Sequence, residues 1–369
     1  MSAVKIETLT PVHIGSGNML YNNTDFVGVR IGNEPCLAVI SEEKIWKLLG
    51  EQHLDNWLQA ITERKPLRDF LQKFAPNAKS IDYSKRRMPL FADLKPNDTL
   101  KETLHNGMGL PYIPGSSIKG AIRTAILASV VKTIQDKENA IQEFKNGKTL
   151  VSAKKIETKA FGIDPNSDAF RFIHVGDAYF EKDSEIAMRL INLNVRNSEN
   201  DLMDKSKPQL VEAICQDVQC SIQLKIAREY YDFVKQRFDQ VGRLPVNSAD
   251  DLFRMINSHT RKLVEDEIEI WNNIAKNKIG GEGYIEQMQN IFDTINACED
   301  GKSCVLRIGH TSGWRFITGA WAEKLWNFKD VVVPASRPKN HNYENYDFPK
   351  TRRLDTESYI MGFVKLTLL

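Results

Sequence analysis

The stretch Ile113-Pro114-Gly115-Ser116-Ser117-Ile118-Lys119-Gly120-Ala121-Ile122-Arg123 carries residue types that bind an anion. Pro114 and Gly115 break the element before them, and either serine can cap a following helix. That helix, over 117–134, is read from Ile118, Ala121, Ile122, Ala125, Ile126 and Val130 at helical spacing. Its first turn offers backbone N–H groups and the positive end of the helix dipole, and both favour a phosphate. Lys119 and Arg123 share one face, with no side chain at Gly120 between them to keep a sugar-phosphate strand away. An ordinary capped helix with a solvated basic face fits the same residues. A nucleotide-hydrolysing P-loop does not, because Lys119 precedes the glycine and Ala121 stands where Ser or Thr is required.

Similar chemistry recurs elsewhere. Leu306-Arg307-Ile308 feeds the glycine-bounded loop Gly309-His310-Thr311-Ser312-Gly313, and a helix is expected over 314–325 with Arg315 at its start. Gly15-Ser16-Gly17 can expose amides as an anion nest, or simply end a strand. Over 334–353, Arg337, Lys339, His341, Lys350, Arg352 and Arg353 alternate with Tyr343, Tyr346 and Phe348. Cations there suit phosphates and rings suit bases; a disordered basic loop is the alternative. Lys85-Arg86-Arg87 reads as a solvated loop, and Glu265, Asp266, Glu267 and Glu269 read as a solvated helix face. His13 and His174 are the acid/base candidates, with His174 expected in an apolar core strand. No Ser/His/Asp order and no metal-ligand spacing accompanies them.

The elements that must position these residues alternate between strands and helices. Strands are expected over 4–8, 26–31, 36–40, 170–180, 186–195, 210–214, 218–226 and 359–368. Helices are expected over 41–50, 51–63, 66–75, 136–146, 150–162, 228–240, 248–276 and 284–298. Stretches 92–112 and 196–208 read as loops. Few pure Val/Ile/Leu runs favour an α+β fold over a doubly wound parallel sheet. A chain of 369 residues suggests two domains, divided near 205 into 1–205 and 206–369. A net charge of +2 excludes a histone-like binder and leaves room for local basic surfaces. The five cysteines include no Cys-x-x-Cys pair, so a reducing cytoplasm is expected, and no apolar run approaches the roughly 18 residues of a membrane span.

Four stretches together resemble the RAMP superfamily of CRISPR-associated RNA-binding proteins. They are Thr10-Pro11-Val12-His13-Ile14-Gly15-Ser16-Gly17, the 113–123 stretch, Arg307-Ile308-Gly309-His310-Thr311-Ser312-Gly313-Trp314, and Phe348-Pro349-Lys350-Thr351-Arg352-Arg353-Leu354. Within that superfamily the chain is most similar to the Csm subunit at the crRNA 3′ end of type III-A effector complexes. The resemblance implies two ferredoxin-like (RRM-like) modules with helical insertions and glycine-rich loops. It implies a non-catalytic RNA-binding subunit that supports crRNA maturation and antiviral defence, with neither cofactor nor metal. Its expected RNA contacts are Gly15, Gly17, Gly115, Ser116, Ser117, Lys119, Arg123, Arg307, Gly309, His310, Gly313, Lys350, Arg352 and Arg353. Expected partners are crRNA, nearby target RNA, other Csm subunits (notably the repeating backbone subunit) and host nucleases for 3′-end trimming, with no membrane. The alternatives are a crRNA-processing endoribonuclease and the RAMP subunit at the opposite end of the complex.

Overall fold

A computed structural model describes residues 2–63, 65–145, 148–197, 200–275, 277–317, 320–336 and 349–369. Alternation in the first strand, Ser2–Thr8, turns Val4 and Ile6 inward, and both are fully buried. This strand is the centre of a five-stranded antiparallel sheet. Across the sheet the order is Ile173–Val175, Gln219–Ile226, Ser2–Thr8, Phe363–Leu368 and Ser303–Arg307. Helix Gly115–Val130 precedes Ile173–Val175 in the chain, and helix Ala249–Ala275 follows Gln219–Ile226. Set aside the Ser303–Arg307 edge, and the connectivity is the βαββαβ of a ferredoxin-like module.

Both helices bury their apolar stripes on this sheet. Ile118, Ile122 and Ala125 of the first, with Leu252, Phe253 and Ile256 of the second, join Val4, Ile6, Ile222 and Leu366 in one core. Further along, Val264, Trp271 and Ala275 pack with Tyr284, Met288 and Ile291 of helix Gly281–Asn296 and with Val305 and Phe363. Val305 and its neighbours Cys304 and Leu306 thus serve two different cores, which is why Ser303–Arg307 is buried along its whole length.

A second, mixed sheet runs Gly15–Tyr21, Thr99–Thr103, Met203–Ile214, Glu185–Asn194, Ser84–Phe91, Glu34–Ile40 and Phe26–Ile31, with Thr351–Asp355 also paired to Glu185–Asn194. Helices Glu42–Leu49, Leu54–Thr62 and Leu67–Phe74 cover its far end through Ile45, Trp57 and Phe70. Val12 and Ile214 exchange backbone hydrogen bonds of 2.9 and 2.8 Å and stitch the two sheets together. The fold is α+β, as expected. Position 205 lies inside the Met203–Ile214 strand, and each sheet draws strands from both sides of it.

Several local expectations change. Lys85-Arg86-Arg87 lies in the Ser84–Phe91 strand, and the 92–112 stretch contains the Thr99–Thr103 strand. Only Lys137–Ala140 of the expected 136–146 helix is helical; Gln142–Lys145 then pairs with Lys148–Val151, and Asn146-Gly147 lies outside the described residues. The expected 314–325 helix is two short 3₁₀ turns, Trp314–Phe316 and Ala320–Lys324.

The largest correction concerns Glu267, which is not on a solvated face but fully buried. Arg352 grips it with two bonds of 2.6 Å, Arg315 Nε lies 3.3 Å away, and the Tyr284 hydroxyl donates to it at 2.5 Å. Burial alone would raise the Glu267 carboxyl, but these cations draw it down to about 2. Removing one side of such a pair strands the other charge in the core. Arg352→Ala is therefore expected to lower unfolding stability by about 3–5 kcal/mol in denaturant titration. Replacing both Glu267 and Arg352 with Met should cost less than Arg352→Ala alone; equal or greater loss in the double variant would show that packing dominates.

Candidate nucleic-acid interface

The start of strand Gly15–Tyr21, strand Thr99–Thr103, helix Gly115–Val130 and the 309–313 loop together enclose one pocket of about 460 Å³, lined by Gly15, Gly17, Lys101, Ser117, Gly309 and His310 among others. Backbone contacts hold them in place. The His310 amide donates to His13 O at 3.1 Å, and Leu104 N donates to Ile14 O at 2.8 Å. Gly309 has φ +85, and a Cβ there would meet His13 O at 2.6 Å, so only glycine closes this junction. Glu102 Oε2 accepts from Ser16 Oγ at 3.1 Å and from Asn18 Nδ2 at 2.8 Å, fixing the glycine loop between them.

The pocket carries positive charge that no acid among the described residues neutralises. Lys101 Nζ lies 3.2 Å from His310 Nε2, and Arg353 Nη1 lies 3.5 Å from the same nitrogen while also donating to Gln209 Oε1. Burial and then the two cations push the His310 imidazole down to about 4, so it is neutral at pH 7. Burial and Arg353 likewise lower the Lys101 ammonium. Among the described residues no carboxylate pairs with either cation. Clustered cations leaning on a neutral ring are the arrangement that an anion would favour.

A buried polar network stands behind it. Arg86 binds Glu212 at 2.5 and 2.9 Å and Glu102 at 2.9 Å. Thr103 N donates to Glu212 Oε2 at 2.9 Å, and His105 Nε2 meets Glu185 Oε1 at 2.7 Å. Burial tends to raise Glu102, yet bonds from Asn18 and Arg86 bring it down to about 2, whereas burial pushes Glu212 up. Glu102, His105 and Glu212 bring ligand atoms within 4.8 Å of one another, but Arg86 already engages both carboxylates. His13 is 3% exposed, and its Nδ1 is 2.6 Å from Glu212 O.

The expected contacts divide accordingly. Gly15, Gly17, Ser117, Gly309, His310 and Arg353 meet in or beside the pocket. Gly115 does not offer its amide, which donates to Asp177 Oδ1 at 2.7 Å; the amides of Ser117 and Ile118 turn back to Pro114 O. Gly115 is required instead by packing, since a Cβ would sit 2.1 Å from Val175 O. Ser116 is exposed and Lys119 half-buried near the Phe170 ring. Arg123 is not a free cation: it pairs with Asp168 at 2.9 Å and Glu157 at 3.3 Å and lies 4.1 Å from the Phe161 ring centre. Arg307 is buried between Phe316 and Phe363 with Nε donating to Met361 O, and Arg352 is held by Glu267. Gly313, at φ +71, precedes a 3₁₀ turn, and Lys350 is half-exposed beside Val195. His174, expected in the core, is exposed on the edge strand Ile173–Val175. Arg337, Lys339, His341, Tyr343, Tyr346 and Phe348 lie outside the described residues. Lys101 and Gln209 escaped the sequence reading; the alternation of Leu100 and Lys101 within 99–103 was the signal for a strand that exposes Lys101.

Comparison with known proteins agrees with this architecture. The family model of the RAMP superfamily matches residues 5–316. A Methanocaldococcus jannaschii protein named CRISPR system Cms protein Csm5 is 25% identical over 403 aligned residues, covering 99% of this chain and 88% of that protein. A Streptococcus thermophilus protein of the same name is 28% identical over 189 residues, 46% of this chain and 49% of that one. The crystal structure of T. onnurineus Csm5 superposes with a TM-score of 0.66 at 18% identity, over 98% of this chain and 99% of that chain. A chain of the cryo-EM structure of a type III-A Csm–crRNA–target RNA ternary complex superposes with a TM-score of 0.72 at 19% identity, over the whole of both chains. Matched over most of its length by that family model, and folded as those two solved chains are, the chain belongs to the RAMP superfamily.

Proposed function

We propose that this chain is an RNA-binding subunit of a type III-A Csm effector complex, holding crRNA at its 3′ end without cutting it. The observation that carries the reading is the pair of cations, Lys101 and Arg353, that no described carboxylate neutralises, on a pocket walled by the glycine-rich start of strand Gly15–Tyr21 and the 309–313 loop. Glycine permits close approach of a sugar-phosphate backbone, and the cations meet its charge. The relatives named Csm5, and the solved complex whose title includes crRNA and target RNA, support the same partners here, together with neighbouring Csm subunits. Host nucleases would then trim the RNA, as the resemblance implies. No helix among the described residues is long and apolar enough to cross a membrane; a cytoplasmic effector is part of the proposal.

A non-catalytic role is supported by His13, whose buried ring braces the Glu212 carbonyl. End-labelled single-stranded RNA incubated with the protein is expected to stay full length, with His13→Ala making no difference. Shortened RNA that disappears in that variant would establish the endoribonuclease alternative instead.

Replacing Lys101 and Arg353 together with Gln should weaken RNA binding and flatten its logarithmic salt dependence by about 1.4, roughly 0.7 per lost phosphate contact. Unchanged affinity and slope, with normal thermal unfolding, would remove the pocket from the reading. Arg123→Glu serves as the contrast: its partners are Asp168 and Glu157, so it should lower the melting temperature before it touches the salt slope.

His310 gives a pH test. Its free-state value of about 4 rises when a phosphate sits beside it, so binding takes up a proton. Affinity should then increase as pH falls from 7 toward 5, and His310→Gln should abolish that increase. A flat profile for the unaltered protein would place the phosphate away from His310.

A further inference from the structure

Just ahead of the helix whose Ser117 lines the pocket, Tyr112 pairs with Tyr179 across a two-stranded antiparallel ladder, and their rings stack with centroids 5.3 Å apart and planes 26° from parallel. Tyr179 remains 45% exposed, so one aromatic face of the pair meets solvent. The ring is not free to swing. Its hydroxyl donates to Asp177 Oδ2 at 3.0 Å, and the other oxygen of that carboxylate accepts the Gly115 amide. The platform is therefore tied to the start of the helix whose Ser117 lines the pocket. It is also tied to the glycine loop, because Tyr112 N donates to Leu104 O and Leu104 N to Ile14 O.

We propose that the stacked pair Tyr112 and Tyr179 is a nucleobase subsite, taking a base of the same single strand whose phosphate occupies the pocket beside Lys101 and His310. It rests on the RNA-binding reading above. An exposed ring held by Asp177 and tied through the backbone to Ile14 and Ser117 of a cationic pocket matches a polymer that alternates planar bases with anions. The base stacks on Tyr179, with Tyr112 backing the ring from the other side. Because every base has a π-face, the subsite is indifferent to sequence. Asp177, spent on Tyr179 and Gly115, keeps phosphate away from the platform and in the neighbouring pocket.

Fluorescence anisotropy on the full chain tests this with a labelled single-stranded oligoribonucleotide and an abasic strand of equal length. Tyr179→Ala should weaken binding of the first by about 5- to 100-fold, the range for one lost stacking contact, without changing the salt slope. Tyr179→Phe keeps the ring and should bind like the unaltered protein. The abasic strand should bind the unaltered protein and Tyr179→Ala equally. Equal affinity of Tyr179→Ala for the normal strand overturns the subsite, as does an equal loss on both strands, which would report a folding defect. If Lys101→Gln with Arg353→Gln abolishes binding while Tyr179→Ala does not, the subsite alone fails. If the unaltered protein binds neither strand, the RNA reading falls and takes the subsite with it.

Discussion

Arg86 lies between Glu212 and Glu102, and the pocket's geometry depends on that guanidinium. Its strand, Ser84–Phe91, is two places away from Met203–Ile214 in the sheet, so the side chain must reach across Glu185–Asn194 to find Glu212. From there the constraint spreads in two directions. Glu102 carries it to Ser16 and Asn18 in the glycine loop, and the Glu212 carbonyl carries it to His13, whose own carbonyl receives the His310 amide. A buried ion pair of this kind adds little net stability over an apolar replacement, but losing one partner is costly. Its worth here is positional: it fixes two loops with respect to each other while saturating the nearby acids. That saturation matters for the front of the pocket, because Lys101 and Arg353 find no carboxylate among the described residues to neutralise them.

The same balance explains which cations the sequence reading could place. The Gly309–Gly313 loop was legible, since its glycines bound a loop whatever the tertiary partners, whereas Gly15-Ser16-Gly17, read as a loop or a strand-ending turn, opens the strand Gly15–Tyr21 instead. The arginines were not, because their role depends on distant acids. Yet two errors violated simple periodicity. Arg352 and Leu354 lie on one face of the Thr351–Asp355 strand and Arg353 on the other, so one arginine had to enter the core and the other to leave it. Glu267 falls in the stripe Val264, Trp271, Ala275 at helical spacing, all buried, and so belongs to the core face. Both residues looked solvated by type and buried by position. Position won.

Strand pairing was beyond the reach of periodicity. Ser2–Thr8 pairs with Phe363–Leu368, the opposite end of the chain, and the two sheets interleave segments from both halves. Alternation says that a segment is a strand; it carries no information about its neighbour. One consequence is functional. Gly15, Lys101, Ser117, His310 and Arg353 come from five separate segments, so the pocket exists only when the whole module has closed.

The helix start at Gly115 shows how a generic anion site is redirected. Its dipole and amides would attract a phosphate, but Asp177 supplies the negative charge from within the chain and Pro114 O accepts from the amides of Ser117 and Ile118. A second anion at the same end would meet that carboxylate. The pocket lined by Ser117 has the opposite balance: among the described residues no acid pairs with its cations, and the one acid in its wall, Glu102, is committed to Arg86 and Asn18. Charge therefore favours phosphate at His310 and disfavours it at Gly115.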